Sequence, residues 1–308
     1  MDMKLSVTEI AGRLGRHRST IYRELSRNHT EWHYRPGLAH FKAQKRYPKK
    51  PSKLQTNLVL YHYVYDRLRQ GWSPEQISGR MRLEKQPFFI CHESIYRYIY
   101  TTAGNLLHQY LPKKKRRRKR CRSRQNHRCR YGDIRLITKR PISIEKRSRL
   151  GHWEGDLIAF KGKRTKTVTT LVERKSRMLT LIKNTSKVSN YVMSNIKENF
   201  NKRRHLICKT ITFDQGGEFA NYWLIERAVP CKVYYCEKRS PWQKGSNENM
   251  NGRLRRYLPK DADIDQVEQK DLDVLANKMN TLPRKCLGYQ TPLEVYSKCF
   301  GKGCRARS

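Results

Sequence analysis

The spacing of apolar positions changes about halfway along this 308-residue chain. Up to about residue 110 it is helical. Ser6-Val7-Thr8-Glu9 has the form of a capping box, in which the serine hydroxyl takes a backbone N–H and the glutamate reaches back. Ile10 and Leu14 follow at i, i+4, Gly15 supplies a tight turn, and a second helix is predicted from His17 to Arg27 with Ile21 and Leu25 inward. Two short helices about a glycine, with small Ala11 at the crossing, make a helix-turn-helix pattern. The pattern recurs. An amphipathic stretch covers Leu54 to Gln70. Ser73-Pro74-Glu75-Gln76 then opens a helix with Ile77 and Met81 inward, and His92 to Tyr100 forms another with Ile95 and Ile99 inward. Tyr96, Tyr98 and Tyr100 on the last helix are read equally well as DNA contacts or as packing.

Beyond residue 150 the texture becomes that of strands. Trp153 to Phe160, Thr167 to Val172 and Met178 to Ile182 are apolar or β-branched runs, the last two joined by the polar turn Arg174-Lys175-Ser176-Arg177. A polar helix fits 187–203, a fourth strand Lys209 to Phe213, a helix Glu218 to Ala228, a fifth strand Lys232 to Cys236, and a helix Lys244 to Tyr257. The order β-β-β-α-β-α-β-α predicts an α/β core, a mixed five-stranded sheet with helices on both faces, preceded by all-α helix-turn-helix modules.

Charge adds a partner to this picture. The 68 Lys+Arg against 26 Asp+Glu leave +42, and a polyanion is the natural counterpart. Residues 1–150 hold 37 basic and 10 acidic residues, net +27; the remainder is net +15. The run Lys113 to Arg120 is eight consecutive cations and reads as an extended linker lying along phosphate, through Lys113, Lys114, Lys115, Arg116, Arg117 and Arg118. The organisation is then a first helix-turn-helix at 1–30, a second at 50–110, a basic linker at 111–145 and a core at 146–308. In the first module Arg16, Arg18, Ser19, Thr20, Arg23 and Arg27 are placed to meet base edges and phosphates. No apolar run suits a membrane span and no secretory leader is visible, so neither a membrane nor export is expected. The nine cysteines are odd in number and irregular in spacing, which supports neither a disulfide framework nor zinc and fits a reducing compartment.

The chemistry is expected from carboxylates. Asp156 lies inside the first strand, where a charged side chain is costly unless it ligates or pairs. Asp214 ends the fourth strand, and Glu248 stands on the helix that follows the fifth. Glu154 rivals Asp156 as a ligand and Glu218 rivals Asp214. Three acids converging in so basic a protein call for a hard cation, Mg²⁺ with Mn²⁺ tolerated. Lys244, Glu248, Asn251 and Arg255 recur along one helix face, so Lys244, Asn251 and Arg255 are candidate DNA contacts around the metal ligand.

These motifs resemble those of the IS30-family transposases. The resemblance runs through Gly151-His152-Trp153-Glu154-Gly155-Asp156, Thr170 to Arg177, Thr210-Ile211-Thr212-Phe213-Asp214, Ser240-Pro241-Trp242-Gln243-Lys244-Gly245 with Asn247-Glu248-Asn249, and Pro283-Arg284-Lys285 with Leu287-Gly288-Tyr289. It implies an RNase-H-like integrase core with Asp156, Asp214 and Glu248 as catalytic metal ligands. The activity implied is metal-dependent cleavage and joining of double-stranded DNA at the inverted repeats of an insertion sequence, with the target duplex as second partner. It also implies a homo-oligomer, a bacterial cytoplasmic, nucleoid-associated location and no small-molecule substrate. The family has a further helix before the first module, where this sequence has five residues ahead of Ser6, and Gln215 stands where Asn is commoner. The competing readings are a non-catalytic DNA-binding regulator, an RNase-H-type nuclease and a basic RNA-binding protein.

Overall fold

The computed structural model describes residues 5–28, 34–46, 51–101, 104–111, 134–203, 205–238 and 240–305. The chain divides into two compact units, 1–56 and 57–308. Cys121, Cys129 and the run from Lys113 to Arg120 lie outside the described residues. Among those residues no helix is long and apolar enough to cross a membrane.

The first unit holds α1 (Val7–Arg13), α2 (Arg18–Asn28), α3 (Pro36–Arg46) and the single turn α4 (Lys53–Thr56). The capping box forms as read: the Glu9 amide donates to Ser6 Oγ (3.2 Å) and the Ser6 amide to Glu9 Oε2 (2.8 Å). Gly15 turns the chain between α1 and α2 at φ 59°, a conformation that costs a glycine nothing sterically. The helix α3 was not expected, because its larger apolar side chains, Leu38 and Phe41, are exposed and give no clear inward stripe. A polar contact ties it to α2: buried Asn28 donates to Glu24 Oε1 (2.6 Å) and accepts from Arg46.

The second unit begins with α5 (Leu58–Arg69), α6 (Pro74–Leu83) and α7 (His92–Thr101). The amphipathic stretch starts its helix at Leu58 rather than Leu54, since the Asn57 side chain caps it by accepting from the Leu60 amide (2.9 Å). Then come α8 (Ile142–Glu145), β1 (His152–Phe160), β2 (Lys163–Glu173), β3 (Leu179–Asn184), α9 (Ser189–Lys202), β4 (Thr210–Phe213), α10 (Trp223–Ala228), β5 (Lys232–Tyr235), α11 (Gly245–Leu254), α12 (Gln269–Asn280) and α13 (Pro292–Arg305). The sheet order is β3-β2-β1-β4-β5, with β1, β2 and β3 antiparallel and β1, β4 and β5 parallel. This is the mixed sheet that the pattern predicts. The strand β2 starts earlier than its β-branched stretch because Lys163 and Lys166 both bond Asp265, which holds the polar end of the hairpin in place.

Each sheet face carries its own apolar layer. Trp153, Leu171, Ile211, Phe213 and Val233 pack beneath Val192, Ile196 and Phe200 of α9 and Ile225 of α10. Ile158, Val168, Val172 and Leu181 pack against Met250 and Leu254 of α11 and Leu272, Ala276 and Met279 of α12. The helices between residues 57 and 110 belong to the same compact unit as the sheet. The helices α5 to α7 pack with the core: Gln76 Nε2 donates to the Pro283 carbonyl, Arg80 forms a fork on Glu294 (2.7 and 2.8 Å), and Arg256 bonds the carbonyls of Gly71 and Tyr110.

Candidate active site

Strand register brings the two aspartates together. Adjacent parallel strands pair Trp153 with Ile211 and Glu154 with Thr212. Continuing that register by two residues sets Asp156 beside Asp214, on the same face as their partners. Gly155 allows the close approach: a Cβ there would lie 2.2 Å from the Phe213 ring.

Lys244, at the end of a short 3-10 turn before α11, joins the pair. Its ammonium lies 3.3 Å from Asp156 Oδ1, 3.2 Å from Asp214 Oδ2 and 3.3 Å from the Gly155 carbonyl, so three donors meet three acceptors. The lysine is buried, whereas both acids keep an edge toward solvent. Asn251 Nδ2 donates to Asp156 Oδ2 (2.8 Å) and fixes the carboxylate from its other side. Burial holds the Asp156 carboxyl above its usual range; Lys244 draws it back and Asp214 adds to the rise. Burial works against the Lys244 ammonium, but the charges of Asp156 and Asp214 outweigh it and the group is held above its ordinary value.

The helix α11 is seated by Asn247. This fully buried amide donates to the Thr170 carbonyl (3.4 Å) and accepts from Thr170 Oγ1 (3.1 Å). Arg255 secures the other end, donating to the Ala159 carbonyl (2.7 Å) with its guanidinium over the Phe160 ring. Between Lys244 and Asn251 on the same stripe stands Glu248, which is exposed. The structure thus gathers Asp156, Asp214, Lys244 and Asn251 and leaves the Glu248 carboxylate outside. Among the described residues no three His, Cys, Asp or Glu side chains lie close enough to hold a metal ion.

The rival acids have other environments. Glu154 is buried, 3.0 Å from Arg174, and accepts from the backbone N–H of Asn247 (3.1 Å). Glu218 is half-buried beyond Gly216. Gln215 donates to the Cys236 carbonyl (3.0 Å) and ties the loop after Asp214 to the end of β5. Sequence reading missed Asn247 as a positioning residue, although an asparagine inside a helix next to an expected ligand was a usable signal. The donor set suits a hard divalent cation: all its donors are oxygens, and Asp214 Oδ1 and Asn251 Oδ1 are buried with no hydrogen-bond partner.

In the N-terminal unit Arg16, Arg18, Thr20, Arg23 and Arg27 are exposed. Ser19 is half-buried, bonded to His17 Nδ1 (2.8 Å) and Arg23 Nη2 (3.2 Å). A family described as a helix-turn-helix domain matches residues 2–28.

Along most of its length the chain is similar to transposases. It is 35% identical over 309 residues to transposase InsI of insertion sequence element IS30A from Escherichia coli K12, covering 97% of this chain and 80% of that one. It is 35% identical over 307 residues to the transposase of element IS1086 from Cupriavidus metallidurans, covering 96% and 89%. It is 34% identical over 306 residues to the transposase of element IS4351 from Bacteroides fragilis, covering 98% and 93%. A solved structure of a simian T-cell lymphotropic virus intasome in complex with PP2A regulatory subunit B56 gamma matches loosely, at 16% identity and a TM-score of 0.41, over 66% of this chain and 69% of that chain.

Proposed function

The chain belongs to the IS30 family of transposases, and from that membership we propose that it cleaves and joins DNA strands at the terminal inverted repeats of its element in a Mg²⁺-dependent reaction, with Mn²⁺ as a substitute. The observation that supports this most is the pair Asp156 and Asp214, set side by side by strand register and bridged by a buried ammonium. Asp156, Asp214 and Glu248 are the proposed ligands, Glu248 by a change of rotamer from its exposed position one turn from Lys244. A metal held by these residues would supply activation of the attacking oxygen and stabilisation of the leaving one.

The chain's own groups do the rest. The Asn251 amide keeps Asp156 in one orientation. Lys244 neutralises the two aspartates and, released from them, is in reach of a phosphate brought to the same place. Asn247 and Arg255 fix α11 on β1 and β2, so the groups facing the aspartates move little. Arg18, Thr20, Arg23 and their neighbours on the recognition helix read the repeats, while Arg16 and the basic run 113–118 contact phosphate. A second copy of the chain pairs the two ends of the element.

The test is an assay of full-length protein on a duplex carrying the element's own terminal repeat. Cleavage and joining are expected with Mg²⁺ or Mn²⁺ and not in chelator. Repeat binding with no strand breakage in either metal would make the protein a regulator instead.

A further inference from the structure

The flank of α11 turned away from Asp156 gathers arginines. Ser246, Asn249, Met250 and Arg253 recur at i, i+3, i+4 and i+7, about half a turn around the helix from Lys244 and Glu248. The first three each meet a guanidinium. Arg177 donates to Ser246 Oγ, Arg253 Nε donates to Asn249 Oδ1 (3.1 Å), and Arg284 reaches Met250 Sδ (3.8 Å) and the Met279 carbonyl (2.9 Å).

Arg284 is almost fully buried, yet its Nε and Nη1 have no partner. Burial, with Arg253 and Arg177 nearby, pushes it down to about 10. Arg147, half-buried in the turn after α8, is held below its ordinary value by burial and by the charge of Arg177. The acids within electrostatic reach of Arg147 are already engaged, Glu145 by Arg140 and Glu154 by Arg174. Arg147 and Arg177 also share an uncommon backbone, at φ 50° and 64°, in a region that side chains other than glycine enter at a steric cost.

Like charges gathered on a partly exposed flank, over a buried arginine with no acid partner, form a stable group when an anion binds beside them. Planar guanidinium forks match phosphodiester oxygens in geometry as well as charge. We propose that Arg177 and Arg253 form a phosphate-binding site for the backbone of a DNA duplex lying across α11, distinct from the aspartate pair, with half-buried Arg147 and buried Arg284 adding positive charge behind them. The identity of the polyanion rests on the transposase reading. The duplex is either the element end or the target, and both present the same phosphodiesters.

The full-length chain is tested without divalent metal, on an element-end duplex and on an unrelated one, between 50 and 200 mM salt. Arg253 is exposed, so Arg253→Ala is expected to fold normally. Loss of one phosphate contact lowers the slope of log affinity against log salt by about 0.9. A drop with the element end alone assigns the site to that end; a drop with the unrelated duplex assigns it to any DNA, the target included. Cys286, exposed two residues after Arg284, is expected to alkylate more slowly once DNA is bound, as read by mass spectrometry. An unchanged slope on both duplexes overturns the site, and so does a Cys286 rate that DNA leaves unaltered. Because binding is measured without catalysis, strand transfer surviving in Asp156→Asn would sink the catalytic reading and leave this one standing.

Discussion

The N-terminal unit and the sheet unit keep the side chains proposed to act in opposite surroundings. In the first, the buried apolar side chains among the described residues are Ala11, Ala39 and Leu54, while Leu14, Tyr22 and Phe41 are exposed. Its arginines stand in solvent. In the second, Trp153, Phe213, Leu171 and Ile211 are wholly buried, and the lysine at the site is buried with them. Reading a duplex requires side chains that reach outward, and a thin scaffold suffices. Holding two carboxylates and an ammonium within 3.3 Å requires a rigid, desolvated frame, because only there does their geometry resist relaxation by water.

The sharpest break of that contrast is in the cores. Trp153→Ala removes a fully buried indole whose N–H donates to the Ile207 carbonyl (2.9 Å), and is expected to cost about 3–5 kcal/mol in denaturant unfolding. Leu14→Ala, on an exposed side chain of the first unit, is expected to stay within about 0.5 kcal/mol.

The next effect is on pH. Burial, aided by Lys209 and Arg174, lowers the His152 imidazole from 6.5 to about 4. Below 6.5 the unfolded chain takes up a proton that the folded chain refuses until about 4. Stability is therefore full above that window and falls as pH drops through it, by about 3 kcal/mol at about 1.4 per pH unit. His152→Gln is expected to flatten this slope in melts taken across the window.

Gly155→Ala puts a methyl group against Phe213 and is expected to cost about 1–3 kcal/mol while weakening cleavage, since it spreads β1 from β4 beside Asp156. Ser6→Ala removes the cap of α1 for about 1 kcal/mol and is expected to weaken repeat binding without altering the melting of the sheet unit.

Much of this was legible before the structure. The strands were, because β-branched and apolar runs such as Thr167 to Val172 have no competing pattern. So was the placement of Asp156 inside the first strand and of Asp214 at the end of the fourth, because both strands are apolar runs with an acid at each of those positions. Lys244 was read as a DNA contact from its helix stripe. That it bridges two aspartates depends on a contact 88 residues away in the chain, and no local period encodes that. The docking of α6 on the core was hidden for the same reason, since Gln76 and Pro283 are 207 residues apart. The arginine cluster was invisible because its members come from four separate segments and are conspicuous in none of them.

Asp156 and Asp214 together are the proposed chemical centre of the protein. The most direct test is Asp156→Asn in full-length protein, assayed with Mg²⁺ for strand cleavage and joining on a duplex bearing the element's terminal repeat, with melting and repeat binding measured alongside. Removal of one charged ligand is expected to lower the rate by at least about 10²–10³-fold, with fold and repeat binding retained. Cleavage and joining at the unmodified rate would contradict the account.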